Sequence, residues 1–162
     1  MSADEANIIN RVVRKSLFEL AGNVSQTAMF TNLLFRVSEV KGADAQTILL
    51  GHEMAPSFLK TFARRGKSLI HQVVDEKTKD GKRVRLKMIA VTGAPVSQNT
   101  KKNLRRALIE EAKKAIAEIN FDPLMQDVLH GKVSNKLFNR LKQITKMKRV
   151  EIRKSELEEI FN

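Results

Sequence analysis

The chain contains no cysteine, tryptophan or tyrosine, and only 3 prolines among its 162 residues. The absence of thiols excludes disulfides, cysteine-ligated zinc and thiol catalysis together, and suits a reducing cytosol. With all 8 aromatics being Phe, base-by-base readout of a single strand on stacking platforms is not expected. Phe30, Phe35, Phe58, Phe62 and Phe138 fall at core-like positions in the pattern, so recognition of backbone and folded shape is the expectation instead. No apolar run approaches a membrane span or a signal peptide. The opening MSADEANIINR is polar and partly acidic, unlike a targeting segment, and a soluble cytoplasmic protein is expected.

Catalytic constellations are also lacking. No phosphate-cradling GxxxxGK(S/T) or GxGxxG occurs. His52, His71 and His130 are scattered, without the i, i+4 pairing that metal binding on a helix uses. The GHE at 51–53 sets His52 beside Glu53, but neighbours on a strand face opposite ways, which weighs against a metal-dependent hydrolase built on them. Glu110 and Glu111 read as solvated salt-bridge partners on a charged helix face. Neither an enzyme nor a cofactor or metal is expected.

What the sequence has in excess is positive charge, a net +12, and it is unevenly placed. Residues 60–106 carry 14 basic against 3 acidic residues, and residues 136–154 carry 8 against 1. The segments before, between and after are neutral or acidic: 5 against 6 in 1–59, 3 against 5 in 107–135, and 0 against 3 in 155–162. Two concentrated basic blocks are the electrostatic footprint of a protein that meets a polyanion.

No internal repeat, low-complexity tract or linker interrupts the chain, which reads as one α+β domain over 1–162. Residues 11–20 and 27–40 are expected to be extended, separated by a turn at Gly22 and Asn23. Lys41 and Gly42 turn into a further strand, AQTILLGHEM, and 56–65 suits a short helix started by Pro56. Residues 68–92 form two strands around Asp80-Gly81, a pair suited to a hairpin because both residues tolerate positive φ. Val84, Leu86, Met88 and Ala90 share one face of the second strand, and Arg83, Arg85 and Lys87 the other.

Helices follow over about 99–146. The first carries an apolar stripe of Leu104, Leu108, Ala112, Ala115, Ile116 and Ile119. Its first turns hold Lys101, Lys102, Arg105 and Arg106, cations that oppose the helix dipole and are better placed beside a bound phosphate. A second helix is expected to take Asp122 as N-cap and Pro123 as its first residue and to close at Gly131. A third is expected to be capped by Ser134 and to carry Leu137, Phe138, Leu141 and Ile144. The closing stretch KRVEIRKSE then alternates with a period of two, so 148–154 forms a last strand that must join the sheet, with Val150 and Ile152 in the core.

Residues two apart on a strand face stand roughly 7 Å apart, comparable with successive phosphates of a nucleic-acid strand. Arg83, Arg85 and Lys87 are therefore expected to track a phosphate backbone, with Arg149 and Arg153 projecting from the final strand.

Five stretches, GHE at 51–53, VDEKTKDGKRVRLKMIAVT at 74–92, SQ at 97–98, GKVSNKLF at 131–138 and KRVEIRKSE at 148–156, occur in an order and at intervals that resemble the archaeal and eukaryotic small-subunit ribosomal protein family S3Ae, or eS1. The resemblance spans nearly the whole chain and implies a mostly antiparallel, β-barrel-like sheet packed with three C-terminal helices and one short helix. It also implies a structural constituent of the small ribosomal subunit, embedded in ribosomal RNA at the platform near the messenger exit, beside other platform proteins and within reach of messenger RNA. Monomer within the ribosome, without membrane contact, is the implied state; the alternative is a free-standing RNA- or DNA-binding regulator on the same scaffold.

The resemblance makes Lys79, Lys82, Arg83, Arg85 and Lys87 of the hairpin candidate RNA contacts, with Arg149, Arg153 and Lys154 of the last strand. Arg64 and Arg65 match a basic pair after the short helix. Lys67, Lys148 and the four cations of the first long helix complete the candidate set. The sequence departs from the family in three places. An N-terminal stretch with a Trp-Tyr pair is not present in these residues, GAPV at 93–96 is less basic than usual, and Gly66 interrupts a basic cluster.

Overall fold

The computed structural model describes residues 8–22, 26–42 and 44–159; most of the polar opening, Asn23 of the expected turn and the last three residues lie outside them. The chain divides into two compact units, Met1–Ala55 and Pro56–Asn162.

In the first unit three strands form an antiparallel meander: β1 (Val12–Ser16), β2 (Thr31–Lys41) and β3 (Asp44–Met54). Gly42 makes the β2–β3 turn at φ 63°, a left-handed conformation that costs glycine little. Leu33, Val37, His52 and Met54 are buried. Two expected strands are shorter than their apolar patterns. Leu17–Ala21 is a helical turn, α1, and Gln26–Met29 another, α2. Leu17, Glu19, Leu20 and Ala21 are good helix formers, and Gly22 ends the turn at φ 63° with its N–H on the Phe18 carbonyl. The Thr31 hydroxyl donates to the Thr27 carbonyl at 2.7 Å, where α2 passes into β2. Phe30 is exposed, against expectation.

The second unit begins with α3 (Pro56–Lys60), shorter than the expected 56–65, then β4 (Leu69–Lys77) and β5 (Arg83–Thr92). The helices α4 (Gln98–Ala117), α5 (Phe121–Leu129) and α6 (Lys132–Lys142) follow, and β6 (Met147–Glu158) returns to pair antiparallel with β5. Within this unit β5 lies between β4 and β6.

The sequence of β5 explains its place. In RVRLK, apolar residues alternate with cations, and only Val84 and Leu86 are buried. In MIAVT every residue is buried, because that end is covered on both faces. Met88 and Ala90 join Ile70, Val74, Val150 and Ile152 in the core on the side of the helices. Ile89 and Val91 pack with Phe62, and Phe58, Leu59 and Leu69 close around them on the other side. A Lys113–Glu76 ion pair at 3.3 Å ties α4 to β4.

The α+β class is as expected, but the strands do not close into a barrel. Helix starts differ as well. Asn120 precedes α5, Phe121 is its first residue and is buried, and Pro123 sits deeper in the first turn, where a missing N–H leaves no helical bond unmade. Gly131, at φ 75°, ends α5 and starts α6, leaving Ser134 as a buried helical residue rather than a cap. Ser97 does cap α4, accepting from the Thr100 N–H at 3.2 Å. Ile144 is exposed rather than part of the core stripe.

β6 is longer than 148–154, and its pairing with β5 shifts register twice, opposite Lys87 and Met88 and opposite Val91 and Thr92 of β5. The extra residues opposite them are Arg153 and Lys148. Without the first bulge, strict alternation would carry the inward set from Val150 and Ile152 to Lys154. The extra residue moves the buried phase to Ser155 instead, leaving Lys154 beside Lys87 on the far face.

Candidate nucleic-acid interface

Arg83, Arg85 and Lys87 do share the face of β5 turned away from the helices, but they are not free. The Asp75 carboxylate of β4 grips Arg85 in a fork, at 2.7 and 2.9 Å. Glu158 of β6 lies 2.9 Å from Arg85 and 3.7 Å from Arg83. Glu156 bridges Lys87 at 2.9 Å and Lys154 at 2.7 Å. The expected row of cations is thus a zipper of alternating charge. Hydrogen bonding to Arg85 holds the Asp75 carboxyl below its ordinary range, and the Arg85 guanidinium is held more firmly protonated in return. Burial pushes Glu156 up, but hydrogen bonds from Lys154 and Lys87 outweigh it and leave the group below the usual range. These acids come from two other strands, so spacing along β5 could not reveal them.

The hairpin turn between β4 and β5 spans five residues, and only Gly81 takes positive φ, at 80°. The Thr78 hydroxyl donates to the Asp80 carboxylate, and the Thr78 N–H bonds the Lys82 carbonyl at 2.9 Å. That hydroxyl, with help from the Phe121 backbone N–H and Lys82, holds the Asp80 carboxyl below its ordinary range. The Lys79 N–H donates to the Ile119 carbonyl, and the Lys82 ammonium sits 5.2 Å from the centre of the Phe121 ring. The turn is thereby fastened to the link between α4 and α5, with the Lys79 ammonium outside any ion pair among the described residues.

A different set of cations gathers at the other end of the sheet. Thr61, Phe62, Arg64, Val91, Lys148 and Arg149 line a hollow of about 370 Å³. A second hollow of about 130 Å³ shares Phe62, Arg64 and Val91 with it and reaches Lys67, Ser68 and Leu69. The Arg149 guanidinium lies 4.9 Å from the Phe62 ring centre and 5.6 Å from that of Phe58, and the two rings meet edge to face at 5.0 Å. The loop carrying Arg64 and Lys67 is anchored below. Ser68 N–H donates to the Thr92 hydroxyl at 2.9 Å, that hydroxyl donates to the Ala94 carbonyl at 2.6 Å, and Val96 N–H donates to the Ser68 hydroxyl at 3.2 Å. Contact with Lys148, then desolvation and the charge of Arg64, hold the Lys67 ammonium below the ordinary lysine range.

Arg149 is paired with Glu151 at 3.5 Å, whose carboxyl burial pushes up against the pull of Arg149. Arg153, at the first bulge, has a buried Nε without a hydrogen-bond partner. Burial, and secondarily the Arg153 charge, push the His71 imidazole down.

On α4, Lys102, Arg105 and Arg106 are exposed and Lys101 is half-buried. Arg106 pairs with Glu110 at 3.2 Å, while Lys101, Lys102 and Arg105 have no ion pair among the described residues. Arg65 is exposed in the loop after α3. The structure therefore brings Arg64, Lys67, Lys148 and Arg149 together, ties Arg83, Arg85, Lys87 and Lys154 into a zipper, and leaves the α4 cations as a separate helical patch. In the first unit, His52 is buried while Glu53 meets Arg14 at 3.4 Å. Among the described residues no three histidine, aspartate or glutamate side chains gather as they would around a metal ion. No helix among them is long and apolar enough to cross a membrane.

The outcome is an α+β scaffold that concentrates cations on sheet ends, loops and one helix face. The sequence matches the ribosomal S3Ae family over residues 1–160, and the chain belongs to that family, one of structural, non-enzymatic ribosomal proteins. Small ribosomal subunit protein eS1 of Desulfurococcus amylolyticus is 30% identical over 154 residues, covering 95% of this chain and 71% of the relative. Its counterpart in Sulfurisphaera tokodaii is 32% identical, covering 95% and 79%, and that of Saccharolobus islandicus 31%, covering 95% and 73%.

Proposed function

We propose that this protein is a structural constituent of the small subunit of the cytoplasmic ribosome, bound to ribosomal RNA at the platform near the messenger exit. There it would neighbour other platform proteins and the path of messenger RNA, with the whole chain acting as a single RNA-binding domain. Family membership supports the ribosomal role. The observation that carries RNA binding is the gathering of cations without acidic partners among the described residues, Arg64, Lys67 and Lys148 around two adjoining hollows and Lys101, Lys102 and Arg105 on one helix. Uncompensated cations release counterions when they meet phosphates, whereas a cation already held by a carboxylate must first give that partner up.

The zipper on β5 accordingly contributes less than its count of arginines suggests. RNA affinity measured against salt concentration separates the two sets. Replacing Lys101, Lys102 and Arg105 with Gln is expected to flatten the slope of log affinity on log salt by about 0.7–0.9 for each phosphate no longer neutralised. The same treatment of Arg83, Arg85 and Lys87 is expected to flatten it by less, with the domain still folded. A larger loss from the zipper would overturn this assignment, and an RNA affinity indifferent to both sets would overturn RNA binding through these surfaces.

A further inference from the structure

The cleft beside α3 combines two features that a patch for phosphates alone does not require. Apolar side chains contribute to its concave floor, and three of its cations, Arg64, Lys67 and Lys148, are offset by no carboxylate among the described residues, Arg149 alone being paired, with Glu151. The larger hollow near the hairpin, about 590 Å³, is lined by Lys77, Lys82 and Arg83 but also by Glu158 and Glu159, so an anion gains less there. In the cleft, Arg64 lines both hollows, with Lys148 on the larger and Lys67 on the smaller, and none of the three has an ion-pair partner among the described residues. Like charges held this close repel, and a bound anion is the direct relief. The anchoring bonds from Ser68 to Thr92 and Val96 hold that arrangement in place rather than letting the loop carry Lys67 away.

The floor asks for more than an anion. Phe62 and Val91 line both hollows, and the planar guanidinium of Arg149, laid against Phe62 and Phe58, lines the larger one. Aromatic rings and arginine planes are the surfaces on which unstacked bases settle. A volume of about 370 Å³ falls at the small end of the ~300–1,000 Å³ range of ligand sites. That accommodates one flat ring with its sugar, not the side of a stacked duplex.

We propose that this cleft takes a single unpaired RNA nucleotide, its base on the Arg149 guanidinium, which the Phe62 and Phe58 rings back, and its phosphate among Arg64, Lys67 and Lys148. The inference rests on the RNA-binding reading above and adds a mode of recognition to it, single-stranded and base-contacting, where the aromatic composition of the sequence predicts backbone and shape alone.

The test uses the full chain with an RNA octamer carrying one fluorescent base analogue, offered single-stranded and as a blunt duplex. K67Q/K148Q is expected to weaken single-strand binding by about tenfold and duplex binding much less. R149K keeps the charge but removes the plane. It is expected to abolish the change in base-analogue fluorescence on binding and to weaken the single strand several-fold, while circular dichroism and the melting temperature confirm folding. Equal losses on single strand and duplex, or an R149K protein that binds and quenches like the parent, would overturn the nucleotide site and leave RNA binding intact. A parent protein that binds neither form would overturn both.

Discussion

Glu151 and Asp75 sit on the same face of the second unit's sheet and titrate in opposite senses. Burial raises the Glu151 carboxyl, so the folded state holds its proton to a higher pH than the unfolded chain does. Its contribution to stability is fully present at low pH and declines as pH rises from the ordinary carboxylate range through the raised folded value. Asp75, lowered by Arg85, behaves in reverse: its contribution is present above the ordinary range and is lost as pH falls through the folded value. Urea midpoints measured across pH should therefore show Glu151→Gln removing part of the decline on the neutral side. Asp75→Asn should flatten the loss on the acid side. A Glu151→Gln protein with the parent's profile above the ordinary carboxylate range would show that burial of this carboxyl is not felt. None of this was legible in the sequence, where Glu151 is one polar residue of an alternating strand. Its burial depends on what surrounds it in the folded unit, and Asp75 meets Arg85 only through the pairing of β4 with β5.

At the scale of elements, β6 fastens the end of the chain to β5 and covers one side of the helix-facing core. Ile152 is fully enclosed, at 2% exposure, and Ile152→Ala is expected to cost about 2–5 kcal/mol, read from urea unfolding. A cost below about 1 kcal/mol would mean that β6 is peripheral to this core. That the strand exists, and that Val150 and Ile152 face inward, follows from a period of two. That it extends to Glu158 does not, because the bulge at Arg153 breaks the alternation and a bulge is specified by pairing, not by spacing. The same limit applies to local signals elsewhere. Asp80-Gly81 marks the hairpin correctly, yet a docked five-residue turn replaces the tight one because Asp80 is held by Thr78 and Phe121. Ser134 has the chemistry of a cap, but the left-handed Gly131 already starts α6. The helical turns α1 and α2 lie in segments dense with apolar residues, where four or five residues are too few to distinguish a helix period from a strand period.

For the whole molecule, the unequal distribution of charge is the feature the sequence displays most plainly, and it locates the basic surface in the second unit. The distribution does not say which cations are available. Acids at 156 and 158 fold back onto the β5 row, so the most regular cluster in the sequence is the most neutralised in space. Arg64, Lys67 and Lys148, separated by about eighty residues of chain, converge instead. The central claim is that these surfaces hold the protein in the small ribosomal subunit. Sedimentation of a lysate containing the chain, in low and in high salt, tests it most directly. The account predicts co-migration with the small subunit that persists after loosely held factors are stripped by salt. Recovery only at the top of the gradient, in low salt as well as high, would contradict it.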